Sequence, residues 1–306
     1  MFREKVLSAQ PGILTYGITP PKKDNTPEKI AGITQRHIER IRSLPIDALI
    51  VYDIQNEAER NGSERPFPFL PTLDADVYVN HYLGELKIPK IIYRCVGKYS
   101  REEFTSWLGS ARESDNASVF VGAAASGQKV RLKLSEAYGL YQQIHPNLLL
   151  GGVAIPERHI RRTDEHARIR EKMEKGCRFF VSQAVYDVAA SKNFLSDFYY
   201  HCKESGIGLV PVIFTLTPCG SARTIEFMKW LGISIPKWLE NDLVNAEDIL
   251  GESMDFLMEI AADLTAFARG KGIPVGFNIE SLSIRKAEID ASVQLALDIK
   301  KMLQPG

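Results

Sequence analysis

The sequence predicts an α/β chain folded as a single-domain (β/α)8 TIM barrel, and three observations carry that expectation. Eight short apolar and β-branched runs recur along the chain, each followed by a longer stretch with helical periodicity. The runs are apolar almost throughout instead of alternating, as befits strands of a parallel sheet covered on both faces. No Pro/Gly/Ser-rich linker and no repeat beyond the strand–helix alternation divides the 306 residues. A barrel of about 250 residues with insertions accommodates that length as one domain, 1–306.

The elements follow in order. The first run, Gly12–Thr19, ends on Pro20-Pro21-Lys22. It therefore lacks the Gly-rich turn that opens the competing doubly wound sheet. A helical stretch, Glu28–Leu44, leads to the second run, Asp47–Asp53. The loop from Asp53 to Leu73 is long and rich in charge, Gly and Pro, the character of a binding loop or cover. Ala75–Leu86 and Ser100–Arg112 read as helices around the third strand, Lys90–Val96, and Ala117–Gly122 reads as the fourth strand. The turn Gly122 to Lys129 misses phosphate-loop order, because Gln128 separates Gly127 from Lys129 and Val130 stands where a hydroxyl belongs. Helix Lys133–His145 precedes the fifth strand, Leu148–Ala154, whose tip continues as a rim loop, Ile155-Pro156-Glu157-Arg158-His159. Helix Asp164–Lys175, strand Phe179–Gln183, helix Val188–Ser205 and strand Leu209–Phe214 come next. Helices Ser221–Leu231 and Ala246–Lys271, strand Pro274–Ile279 and helix Arg285–Met302 complete the pattern.

Lys and Arg number 38 and so do Asp and Glu. Such a balance gives no long-range field to gather phosphate backbones or anionic lipids. Nucleic acid and membrane are therefore excluded as first expectations, and a small molecule is the expected partner. The four cysteines form no C-x-x-C pair, and neither a signal-like apolar stretch nor a membrane-length run occurs. A reducing, cytoplasmic setting is expected.

In a barrel, chemistry sits at the C-terminal ends of the strands. Gln183 ends the sixth run, where its amide can pair with a heterocycle's donor and acceptor or bind a neighbouring loop. Glu280 follows the eighth run, and closure of the barrel would bring it beside Gly17 and Thr19. It is a candidate general acid if an apolar cover raises its pKa; the alternative is a helix-opening acid favoured by the helix dipole. His159 on the rim is a candidate donor. Its spacing from His166 gives no metal-ligand pattern, and no metal is expected. Asp164, Arg168 and Lys172 share a helix face, either solvated or in contact with phosphate.

Taken together, these tips resemble the methylenetetrahydrofolate reductase family over nearly the whole chain. Thr19-Pro20-Pro21-Lys22 is similar to that family's Pro-Pro-basic turn, and Val51-Tyr52 to its Thr-Tyr-Gly. Ala154-Ile155-Pro156-Glu157-Arg158-His159 resembles Ala-Tyr-Pro-Glu-x-His, and Lys172 through Gly176 its basic-x-x-x-Gly helix end. Ser182-Gln183-Ala184-Val185-Tyr186-Asp187 resembles Thr-Gln-x-x-Phe-Asp, and Ile233-Ser234-Ile235-Pro236 resembles Val-x-Ile-Pro. The resemblance implies a barrel carrying FAD, in which NADH or NADPH supplies hydride to reduce 5,10-methylene-tetrahydrofolate to 5-methyl-tetrahydrofolate, or the reverse reaction runs. It implies substrate contacts at Gln183, Tyr52 and Tyr186, and FAD contacts at Ile155, His159, Glu165, Arg168 and Lys172.

Four positions depart from the pattern. Gly17 stands where the family has a Glu, Gly122-Ala123-Ala124 where it has Arg-Gly-Asp, Glu171 where it has Arg, and Ala222 near its expected Phe. The acid is then expected at Glu280 or Asp53, with FAD weakly held or absent. Two functions stay open: a divergent folate reductase, or a folate- or flavin-binding barrel that serves another one-carbon enzyme as carrier or accessory subunit. Self-association and a complex with other one-carbon enzymes are both open.

Overall fold

The computed structural model describes residues 2–56, 64–111, 115–123 and 127–304. Eight parallel strands close in chain order: β1 (Leu14–Ile18), β2 (Ala48–Val51), β3 (Lys90–Cys95), β4 (Ala117–Val121), β5 (Leu150–Ala154), β6 (Cys177–Ala184), β7 (Val212–Leu216) and β8 (Val275–Ile279). The seam is β8 against β1, with Leu14 opposite Phe277 and Tyr16 opposite Ile279. Each predicted run contains or overlaps one strand.

The helices among the described residues are α1 (Phe2–Leu7), α2 (Pro27–Arg42), α3 (Ala75–Tyr82), α4 (Arg101–Ser110), α5 (Leu134–Ile144), α6 (Pro156–Arg162), α7 (Glu165–Glu174), α8 (Val188–Ser205), α9 (Ala222–Trp230), α10 (Lys237–Asn245), α11 (Ile249–Arg269) and α12 (Lys286–Leu303). Side-chain caps fix several starts: Thr26 accepts from the Lys29 amide, Ser100 and Glu103 form a capping box, and Asp187 accepts from the Ala190 amide. Three helices go beyond the sequence expectation. Of these α1 and α10 are short, and α6 converts the expected rim loop around His159 into a helix with Pro156 in its first turn, where a missing N–H costs nothing. None of the described helices is long and apolar enough to cross a membrane. All four cysteines are buried and form no disulfide.

Alternate strand residues fill the barrel. Ile13, Ala48, Ile50, Ile91, Tyr93 and Val119 belong to one apolar cluster with Phe179, Val181 and Ile213. Phe2 and Val6 of α1 join it and plug the N-terminal end, where the Phe2 ring stands edge-on to Phe179 at 5.4 Å between centroids. Gly151 makes room for that ring, since a Cβ there would lie 2.5 Å from Phe179 Cζ. A larger apolar layer separates the strands from the helices.

Toward the C-terminal end the interior turns polar. The Thr15 hydroxyl donates to Asn278 Oδ1 at 3.0 Å, and Asn278 Nδ2 donates to Thr215 Oγ1 at 3.2 Å and Tyr52 Oη at 2.9 Å. These bonds tie β1, β7, β8 and the tip of β2 into a polar layer over an apolar floor.

Candidate active site at the barrel mouth

The period-two alternation of a strand decides which tip residues face inward. Tyr52 and Glu280 share the parity of the interior residues Ile50 and Asn278, whereas the register of β6 with β7 shifts between Val181 and Ala184, around Gln183. Because Tyr16 pairs with Ile279, Gly17 and Glu280 are the next residues in register across the seam. The Tyr52 ring fills the space over Gly17: a Cβ at Gly17 would lie 2.7 Å from Tyr52 Cε2. Tyr52 also meets Tyr93 edge-on, with centroids 4.8 Å apart. Glycine at 17 therefore lets an aromatic ring take the place of a side chain.

Glu280 is 9% exposed. Burial pushes its carboxyl up to about 7, and a hydrogen bond donated by the Tyr52 hydroxyl pulls it partly back. Burial and the nearby carboxyl hold the Tyr52 and Tyr93 phenols well above their ordinary range. The described end of the long loop after β2 lies across neighbouring tips. It pairs with the turn after β1 through Lys22 and Thr72, and reaches α9 through Phe67 on Phe227 at 5.3 Å and an Arg223 bond to the Pro66 carbonyl at 2.8 Å.

The other sequence candidates scatter. Gln183 stands near the tip of β6, and its Nε2 donates to the Leu231 carbonyl at 2.7 Å, the neighbouring-loop alternative. Asp53 has outward parity and anchors the segment after β3: it accepts from the Cys95 amide and the Tyr99 hydroxyl, both at 2.8 Å, and pairs with Lys98. Lys98 compensates its charge there. Tyr186 is fully buried outside the barrel, its hydroxyl donating to the Thr217 carbonyl at 2.6 Å. Glu165, also fully buried, accepts from the Ile155 amide at 2.9 Å and pairs with Arg158 at 3.3 Å, holding α6 against α7. His159 does not open onto the mouth; it packs on Phe194 and places Nε2 2.9 Å from Asp197 Oδ2 of α8.

Sequence reasoning missed Asn278, Tyr93 and Glu157. A polar residue of inward parity inside an apolar run was the available signal for Asn278. Burial, with Asp187 and Glu165 nearby, pushes the Glu157 carboxyl up to about 8 against the pull of its own backbone amide.

A cleft of about 410 Å³ between α5 and α7 is lined by Tyr138, Arg168, Glu171, Lys172 and Lys175 among others. The resemblance places FAD phosphates here. Arg168 faces Asp164 at 3.6 Å, Lys172 donates to the Val153 carbonyl at 2.6 Å, and Lys175 lies over the Tyr138 ring at 5.7 Å. Each of these cations already has an anionic, carbonyl or aromatic partner, and Glu171 adds a negative charge. As built, the cleft does not fit the FAD diphosphate.

The chain is similar to solved structures. An uncharacterized protein from Clostridium thermocellum that binds two copies of 5-methyl-5,6,7,8-tetrahydrofolic acid is 55% identical; the match covers 99% of this chain and 100% of that one, at a TM-score of 0.89. The family model for methylenetetrahydrofolate reductase matches residues 139–273. The chain belongs to a methylenetetrahydrofolate reductase-like family. The matched stretch contains Gln183, Glu165, Arg168 and Lys172, whereas Gly17, Tyr52 and Glu280 lie outside it. In this methylenetetrahydrofolate reductase-like chain, the polar mouth draws on both parts: Thr215 lies within the matched stretch, and Thr15, Tyr52 and Asn278 lie outside it. Dihydropteroate synthase from Xanthomonas albilineans with 4-aminobenzoic acid is 10% identical, covering 97% of this chain and 95% of that one, at a TM-score of 0.44. No curated protein matches the chain.

Proposed function

We propose that the barrel mouth binds a reduced folate and that Glu280 is the general acid in reducing 5,10-methylene-tetrahydrofolate to the 5-methyl form. One observation carries this reading: a carboxyl buried at the open end of the barrel, pushed up to about 7, has a proton to give near neutral pH. The imidazolidine ring opens when N10 takes that proton and its bond to the bridging carbon breaks, leaving an iminium at N5. Hydride from NADH or NADPH then reduces this carbon to a methyl group, and the nicotinamide leaves oxidised. Tyr52 donates to the carboxylate left behind and holds it in place for reprotonation. The Tyr52 and Tyr93 rings offer an apolar face for the pterin, and Gln183, whose Nε2 holds the Leu231 carbonyl, offers its amide oxygen as an acceptor. Family membership supports this reading, as does the Clostridium thermocellum relative, whose ligand is the reaction's product.

A second reading, a carrier or accessory subunit that holds the folate unreduced, is favoured by Gly17 where the family has its acid. Oxidation of NADH or NADPH in the presence of 5,10-methylene-tetrahydrofolate separates the two. Turnover is expected, with kcat lowered about 100- to 10,000-fold in Glu280→Gln while calorimetric affinity for 5-methyl-tetrahydrofolate is kept. Folate binding without turnover selects the carrier, and no folate binding rejects both readings. Unaltered turnover in Glu280→Gln removes that residue from the mechanism.

A further inference from the structure

We propose that His159, His166 and Asp197 form a binding site for a zinc-class divalent metal, clipping α6 and α7 to α8. This inference is independent of the folate reading, since the cluster lies in the helical layer away from the mouth. The three residues come from three successive helices, and each offers one ligand atom within 4.8 Å of the others. A tetrahedral zinc site has ligand atoms about 3.3 Å apart, given metal–nitrogen bonds of about 2.0 Å. Small side-chain rotations close that difference, and the Asp197 carboxylate, 53% exposed, stands on the solvent side where a metal can enter.

Both imidazoles carry a buried ring nitrogen without a hydrogen-bond partner. His159 is 3% exposed, and its Nδ1 has no hydrogen-bond partner; the buried Nδ1 of His166 has none either. Buried ring nitrogens normally find partners. Here the two rings stand edge-on at 5.4 Å between centroids, beside the same carboxylate. Two imidazoles with one carboxylate and no thiolate suit a borderline cation such as zinc better than calcium or magnesium. His201, one helical turn beyond Asp197, lies with its ring 5.3 Å from that of His166 and accepts from Arg170 at 3.1 Å. It is placed to supply the fourth ligand or to orient a bound water.

The role that follows is structural. The α6–α7 corner turns through Thr163 in a left-handed conformation, φ 51°. A metal bridging the helices on either side of that corner to α8 would fix it.

The test uses the full-length protein, stripped with a chelator and reloaded with zinc chloride, then with cobalt(II) chloride. One equivalent of zinc retained through gel filtration is expected, together with the visible absorption of tetrahedral cobalt(II) and a higher Tm. His166→Ala and Asp197→Asn should each weaken zinc at least tenfold while leaving folate binding and any turnover unchanged. If the wild-type protein retains no zinc and cobalt gives only its hexa-aqua spectrum, the site does not exist; this arm holds even where a variant fails to fold. Zinc held equally well by both variants would place the metal elsewhere and overturn the assignment.

Discussion

A carboxyl is costly to bury when ionised, and Glu280 shows the consequence in its proton affinity. Its ordinary value of 4.5 rises to about 7 in the folded protein. The native state thus holds this proton more tightly than the unfolded chain does. Its contribution to stability is full below about pH 4.5 and is lost as pH rises through about 7, a change of about 3 kcal/mol. Glu280→Gln should remove that slope. Urea unfolding at pH 5 and pH 8 should show the wild type losing more stability than the variant. Glu157 contributes its own slope to both proteins, so the difference between them isolates Glu280. Equal losses would mean that the carboxyl is not buried as described. Its neighbour Gly17 makes a second residue-scale case. Gly17→Ala drives a methyl group into Tyr52 and should cost about 1–3 kcal/mol. In a Tyr52→Leu background the same substitution should cost clearly less, because the two residues share one space. Equal costs in both backgrounds would show that Tyr52 is not the obstacle.

Among the elements, α1 has the clearest mechanical role. Phe2 is 1% exposed and closes the end of the barrel opposite the mouth. Phe2→Ala should destabilise by about 3 kcal/mol, within the cost of emptying a buried aromatic site. Affinity for 5-methyl-tetrahydrofolate should be unchanged, because the plug and the mouth lie at opposite ends of the interior. A loss of affinity in titration calorimetry would mean that the interior transmits strain along its length. This plug was not legible in the sequence: six residues with two buried apolar positions leave no helical period to detect. The eight strands were legible because parallel strands covered on both faces leave continuous apolar runs. The place of Glu280 next to Gly17, though not its role, was legible for a related reason, since closure of the ring fixes what stands beside β1. The setting of His159 was not, because it depends on Asp197, which arrives two helices later. Pro156 read as a loop residue, although proline opens helices as readily as it ends them. Gln183 was read with two alternatives, and only the position of the Leu231 carbonyl distinguishes them.

At the scale of the whole molecule, the closed ring couples its parts. No strand has an open edge, so the tips of β2, β6 and β8 surround one mouth only when the barrel is closed. Binding to the native state alone adds about 2.7 kcal/mol of stability at a ligand concentration of about one hundred times Kd. For a chain of this size that corresponds to a Tm increase of about 5 °C. Scanning calorimetry with saturating 5-methyl-tetrahydrofolate should show this rise in the wild type. It should also appear in Phe2→Ala, from a lower starting Tm, because the plug does not touch the ligand. Gln183→Ala and Tyr52→Leu should shrink it, each by removing a mouth contact. A rise of full size in both variants would place the folate outside the mouth. The outer cavity of about 570 Å³ beside Trp238 and Phe256, between α8 and α11, would then be the site to probe, with Trp238→Ala as the discriminating substitution.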